Sequence, residues 1–262
     1  MALATTLGRT GTEVPARVTV HHPPTRRVLW AAGTLVAFYV ALSVVLVAVG
    51  SALVHWGPLH GVRAWDEGVN RWLADRRSPL GNRLSLDGTF LANTMSVVAA
   101  GVAVSLVAAV RRCYRAVIAL WSALAVELST FLTVNYLVAR PRPSVAHLGS
   151  TPSTFSFPSG HVAATLVTWV TVALLVRSQV TNRVVRTIIW VLPATMVAWV
   201  GVSRVYAGQH HVIDVMVGLL LGVSALIAGW LAPTWADAAV HYGGQLSWRT
   251  ITEAVRPRST GE

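Results

Sequence analysis

The chain has 262 residues, 54% of them hydrophobic and 12% charged, roughly half the charged share of an ordinary soluble domain, which excludes that class and points to a membrane protein. All 21 basic residues are arginine and the formal net charge is +11; they lie in short segments between apolar runs, a pattern of membrane orientation rather than a basic domain for nucleic acid. The single cysteine, Cys113, excludes an internal disulfide and any cysteine-based metal site.

Residues 1–25 lack apolar periodicity and are expected to form a mobile cytoplasmic tail. The first apolar run, over residues 28–54, is too long for a signal-peptide core and long enough to cross a hydrocarbon layer of about 30 Å, with Trp30 and Trp56 at its ends. Between residues 55 and 88, Val62, Trp65, Val69, Trp72 and Leu73 recur at helical spacing opposite Arg63, Asp66, Arg71 and Asp75. That pattern predicts an amphipathic helix, either on the membrane surface or packed as a lid over the bundle. Further spans are expected over residues 89–110, 116–138, 161–176, 187–202 and 212–232, with Pro193 as a kink in the fifth. Residues 233–262 read as a polar cytoplasmic tail.

The expected fold is therefore all-α and polytopic, with six transmembrane helices in one domain over residues 26–232. Arginines flank the N-terminal tail, the second-to-third and fourth-to-fifth connections and the C-terminal tail, which places both termini in the cytoplasm. The segment 55–88 breaks that pattern with Arg63, Arg71, Arg76, Arg77 and Arg83, accompanied by Asp66, Glu67, Asp75 and Asp87.

Three polar stretches then fall at the outer ends of spans. Asn135 to Pro143 ends the third apolar run with Arg140 and Arg142 held between prolines. Phe157-Pro158-Ser159-Gly160-His161 opens the fourth, where the Ser159 hydroxyl and the Ser159 and Gly160 amides can cradle an anion at a helix N-terminus. Ser203 to Asp214 joins the fifth to the last and supplies Arg204, His210 and Asp214. With a helix from Val212 onward, His210 and Asp214 share one face at i and i+4, so the carboxylate can hold one imidazole nitrogen and leave the other to attack.

Together these stretches resemble the signature of the type 2 phosphatidic acid phosphatase superfamily, Lys-x6-Arg-Pro, Pro-Ser-Gly-His and Ser-Arg-x5-His-x3-Asp. The second is complete as Pro158 to His161, and the third as Ser203, Arg204, His210 and Asp214; the first keeps Arg142-Pro143 but has Asn135 at the lysine position. The resemblance implies an integral membrane enzyme with His210 as nucleophile, Asp214 as its orienting partner and His161 as general acid. It also implies phosphate binding by Arg142, Arg204, Ser159 and Gly160, with no metal and no cofactor. Asn135 can donate only neutral hydrogen bonds to phosphate; Arg140, two residues before Arg142, is expected to compensate as a further phosphate ligand.

The implied substrate is a lipid phosphate met at the outer membrane face, with a polyprenyl diphosphate favoured over phosphatidic acid and phosphatidylglycerol phosphate. A catalytically weakened lipid-phosphate binder or transporter is the alternative, and a vanadate-dependent peroxidase a remoter one. His211 reads as an interfacial or capping residue and His147 as an ordinary loop residue. Glu127, in mid-span, reads as a protonated or hydrogen-bonded carboxyl inside the bundle. Nothing in the sequence fixes the oligomeric state.

Overall fold

Apolar runs of this length have one stable solution in lipid, a helix that satisfies its own backbone. The structure is a computed structural model that describes residues 24–151 and 153–241, and among these every regular element is helical. The expected N-terminal tail lies almost wholly outside the described residues, and so does the C-terminal tail beyond His241. The helices are α1 (Pro24–His55), α2 (His60–Ala74), α3 (Pro79–Leu91), α4 (Thr94–Val110), α5 (Tyr114–Val138), α6 (Gly160–Arg177), α7 (Arg183–Ile188), α8 (Val191–Tyr206) and α9 (Val212–His241).

Five helical stretches are long and apolar enough to cross a membrane, and a sixth follows if α3 and α4, bent by 53°, form one broken span. The expected second span is therefore corrected: the helix breaks at Ala92 and Asn93, where the Asn93 side chain accepts from the Ser96 amide at 2.8 Å and starts a new helix. Ser78 does the same for α3, with Pro79 at its first position. In the fifth span the interruption falls at Ile189 and Trp190, ahead of Pro193. The last helix continues past residue 232 to His241 and takes Pro233 inside it.

α9 packs against α1, α5 and α6 at the centre of the bundle. Phe157, fully buried, joins Leu46, Leu53, Val134, Val138, Val217 and Leu221 in the core cluster directly under the polar end. Close approach is enforced at Gly218, where a Cβ would lie 2.5 Å from the Ser159 carbonyl oxygen. Any side chain there would push the Pro158–Gly160 loop off α9.

α2 is the main departure from expectation. Asp66, assigned above to the face opposite the apolar one, is buried, and so is Asn70, whereas Trp65 and Trp72 are 56% and 55% exposed. The helix lies over the bundle with its polar side inward, because that side meets charges and open carbonyls, and its indole side outward, where amphipathic rings suit a membrane interface.

Candidate active site

The polar end is assembled from helix ends. α5 stops at Ala139, whose left-handed backbone (φ 49°) and amide bond to the Asn135 carbonyl at 3.1 Å form the C-cap; Pro141 then keeps the chain extended. α8 delivers Arg204 from its last turn, and the turn beyond it passes through Gly208 (φ 73°), a conformation glycine adopts without strain, to reach His210. α6 starts at Gly160, with Ser159 as N-cap, and the Ser159 amide is tied to the Asp214 carbonyl at 2.9 Å.

His210 is 2% exposed, and its ring centroid lies 6.4 Å from that of His161. Its Nδ1 stands 2.6 Å from the Ser156 carbonyl oxygen. A carbonyl only accepts, so the proton is on Nδ1 and Nε2 keeps its lone pair. Burial first, then the nearby Arg204, His161 and Arg142, hold the His210 imidazole well below its ordinary value; the Ser156 carbonyl acts the other way. The ring is therefore neutral near pH 7, as a nucleophile must be.

Arg204 is 1% exposed, and among the described residues its hydrogen bond is a long one from Nη1 to Thr89 Oγ1 at 3.5 Å. Its Nε and Nη2, and the hydroxyl of fully buried Ser159, are buried without a protein partner. Arg142 spans two loops, donating to the Gln209 carbonyl at 2.6 Å and to the Thr154 carbonyl at 3.0 and 3.1 Å. These acceptors are neutral. Burial lowers the Arg142 guanidinium, with the Asp214 carboxylate opposing the shift. Two guanidiniums thus act on the buried His210 imidazole, and the same end of the bundle holds an unbonded Ser159 hydroxyl and the first amides of α6, which have no intrahelical acceptor.

Three expectations are corrected here. Asp214 does not hold His210: its Oδ2 is 3.9 Å from Nδ1, because the carboxylate is bound by the His211 amide at 2.8 Å and the Arg140 guanidinium at 2.5 Å. Arg140 is not available to phosphate, since its other arm pairs with Asp66 Oδ2 at 2.9 Å and the side chain is buried. Asn135 is equally committed: its Nδ2 donates to the Phe155 and Phe157 carbonyls at 2.9 and 3.0 Å, and its Oδ1 accepts from the Phe155 amide at 3.0 Å. It braces the loop that carries Ser156 and Ser159. His211, read above as an interfacial or capping residue, is buried, with Nδ1 3.2 Å from Asp214 Oδ2 and Nε2 3.1 Å from Glu67 Oε2. His147 bonds Thr151 and the Pro143 carbonyl within its own loop.

Residues that the sequence reading missed come chiefly from α2 and its exit. Asn70 donates to the Val205 and His210 carbonyls at 3.1 Å each, and Arg77 donates to the Tyr206 carbonyl at 2.9 Å and the Ala146 carbonyl at 2.6 Å. Asp66 and Asn70 at i and i+4 were the legible signal; a carbonyl such as that of Ser156 leaves none. Among the described residues, no group of three or more His, Cys, Asp or Glu side chains is arranged to hold a metal ion.

Residues 115–237, which contain all three stretches, match the model of the PAP2 superfamily. A stretch of 87 residues is 37% identical to phosphatidylglycerophosphatase B of Bacillus subtilis (strain 168), covering 33% of this chain and 42% of that protein. The chain thus matches about two fifths of that relative's length. The fold is similar to the crystal structure of the transmembrane PAP2-type phosphatidylglycerolphosphate phosphatase from Bacillus subtilis, with a TM-score of 0.61, 22% identity, and coverage of 77% of this chain and 96% of that one. Aquifex aeolicus LpxE aligns with a TM-score of 0.48 and 22% identity over 63% of this chain and 92% of its own.

Proposed function

We propose that this chain is an integral-membrane lipid phosphatase that transfers phosphate to His210 and then to water. The observation that carries the reading is the set of buried donors without protein partners among the described residues, Arg204 Nε and Nη2 and Ser159 Oγ, at the helix ends that also carry an imidazole whose Nε2 is left free. Buried donors of this kind are costly unless a ligand completes them, and phosphate oxygens fit all three.

In the first step Nε2 of His210 attacks phosphorus in line while Arg142, Arg204, Ser159 and the Gly160 amide hold the equatorial oxygens, where charge stabilisation does most of the work. His161 gives a proton to the leaving lipid oxygen. Water then displaces His210 from phosphorus and releases inorganic phosphate. Asp214 supports the positive ring formed at His210 by its field at 3.9 Å rather than by a hydrogen bond.

The lipid part has a place as well. A cleft of about 760 Å³ runs along α8 and is lined only by apolar residues or glycine, among them Leu166, Trp190, Val197, Val205, Val212 and Leu219. Val205 and Val212 adjoin Arg204 and His211 in the chain, so a hydrocarbon tail in the cleft leaves its headgroup near the histidines. A polyprenyl diphosphate is the substrate favoured by the sequence; the named Bacillus relative favours phosphatidylglycerol phosphate as the second reading. Arginines 111, 112, 115, 177, 183 and 186, in the connections at the other ends of the spans, support a site facing outside with cytoplasmic termini. Several site-end arginines are held by the protein instead: Arg63 donates to the Leu53 and Trp56 carbonyls, and Arg77 to the loops named above.

The test is phosphate release by detergent-purified protein from a polyprenyl diphosphate, phosphatidic acid and phosphatidylglycerol phosphate, with EDTA present and His210→Ala alongside. Release that survives EDTA and vanishes in the variant supports the reading, and the ranking names the substrate. No release from any lipid would leave the binder or transporter as the better account.

A further inference from the structure

The inward face of α2 lies outside residues 115–237 matched by the family model, yet it contacts the segments on both sides of the nucleophile. Asp66 is fully buried and binds two of them: Oδ2 takes the Arg140 guanidinium at 2.9 Å, and Oδ1 accepts from the Ile213 amide, in the first turn of α9, at 3.3 Å. Glu67 takes the Ser144 amide and hydroxyl at 3.0 and 2.6 Å with Oε1 and faces His211 Nε2 at 3.1 Å with Oε2. Burial alone would raise the Glu67 carboxyl, but the Ser144 bonds and His211 outweigh it and hold the group below its ordinary value.

These contacts close a ring: Asp66 to Arg140, Arg140 to Asp214, Asp214 to His211, His211 to Glu67, and back along α2. Both nitrogens of His211 thus face carboxylate oxygens, Asp214 Oδ2 at 3.2 Å and Glu67 Oε2 at 3.1 Å. Two members of the ring connect to the nucleophile. The Arg140 carbonyl accepts from the Ser156 amide at 2.9 Å, and the Ser156 carbonyl orients His210; the Asp214 carboxylate stands 3.9 Å from His210 Nδ1.

We propose that Asp66 and Glu67 are positioning residues for phosphoryl transfer, holding Arg140 and His211 so that Ser156 and Asp214 meet His210 in the attacking geometry. This inference rests on the phosphatase reading. Without the Asp66 charge, Arg140 is left to Asp214 alone and masks the carboxylate that stabilises positive charge on His210. The effect falls on the chemical step more than on lipid binding, because neither acidic residue touches the phosphate pocket or lines the apolar cleft. The groups that act on His210 are Arg204 from α8, His161 from α6 and Arg142 from the loop after α5, which lower its value together with burial, and the Ser156 carbonyl, which raises it; the Asp214 carboxylate of α9 stands 3.9 Å from Nδ1. Asp66 acts on it only through Arg140 and Asp214.

The experiment measures kcat, KM and the pH profile of the purified full chain, as wild type, Asp66→Asn, Glu67→Gln and Trp65→Leu, on the lipid phosphate the wild type turns over best. Expected is a kcat lowered about ten- to hundredfold in Asp66→Asn and about three- to tenfold in Glu67→Gln, with KM within about twofold. The acid limb in Asp66→Asn moves to lower pH, since a weaker negative field makes His210 harder to protonate. Trp65→Leu, on the outer face, stays near wild type. Where Asp66→Asn does not fold, Glu67→Gln/His211→Gln decides: a double variant no slower than the slower single supports the ring, and additive losses overturn it. Kcat near wild type in the acidic-residue variants, or a raised KM with an unmoved acid limb, would overturn the inference while leaving the phosphatase reading intact. A wild type without turnover on any lipid phosphate would remove both.

Discussion

His210 is oriented by a backbone carbonyl: its Nδ1 is 2.6 Å from the Ser156 oxygen and 3.9 Å from Asp214 Oδ2. The residue that fixes the tautomer is therefore the loop between Arg142 and Pro158, and the carboxylate acts as a distant charge. Removing that charge while keeping its shape separates the two effects. Asp214→Asn is expected to keep the His210 tautomer and to lower kcat by about ten- to a hundredfold, with a loss of stability because buried Arg140 keeps only Asp66 as a charged partner. Rates equal to wild type would show that the carboxylate has no part in the step.

The depressed His210 value sets a pH dependence. The attacking ring must be neutral, so protonation of His210 lowers kcat/KM when pH drops through its free-enzyme value, which lies below the ordinary imidazole range near 6.5. The profile is expected to stay flat from pH 7 down through about 6.5. The same shift makes stability follow pH: the unfolded chain takes up the proton more readily, so this group's contribution is present above about 6.5 and is lost as pH falls below it. An acid limb centred above pH 7 would contradict this assignment of the His210 environment.

Arg204 carries a buried charge with most of its donors unbonded in the free protein. Arg204→Met is expected to lower kcat/KM by about a hundred- to a thousandfold, in line with loss of a transition-state donor. Its thermal midpoint should equal or exceed that of wild type, because an uncompensated buried cation is removed. A variant both inactive and strongly destabilised would mean that Arg204 is a structural residue.

At Asn135 the account and the family pattern diverge. Its side chain makes three hydrogen bonds to the loop carrying Phe155 and Phe157. Asn135→Ala is expected to destabilise the protein by about 1–3 kcal/mol. Asn135→Lys, which restores the family residue, is expected to lower kcat. A faster lysine variant would return position 135 to the phosphate site.

Much of this was legible in the sequence. The apolar runs located the spanning helices because only a helix satisfies its backbone in lipid, and complete second and third motifs singled out His161, Arg204 and His210, which the fold brings to one end of the bundle. Periodicity found α2 but assigned its faces wrongly, since it takes the apolar side as the buried one; here the bundle end is polar, and Asp66 has a better partner in Arg140 than in water. Position alone made Arg140, Asn135 and Asp214 phosphate or histidine contacts. Their real partners lie at Asp66, Phe155, Phe157 and His211, and all but the last are remote in sequence and invisible to spacing rules.

The most direct test of the central claim is the chemical identity of the trapped intermediate. Rapid quenching of the purified protein with a labelled lipid phosphate, followed by peptide mapping under mildly alkaline conditions, reads which atom bears phosphate. With Nδ1 committed to the Ser156 carbonyl, the account predicts phosphate on Nε2 of His210 and none in His210→Gln. Phosphate on Nδ1 of His210, on His161 or on His211 would contradict it.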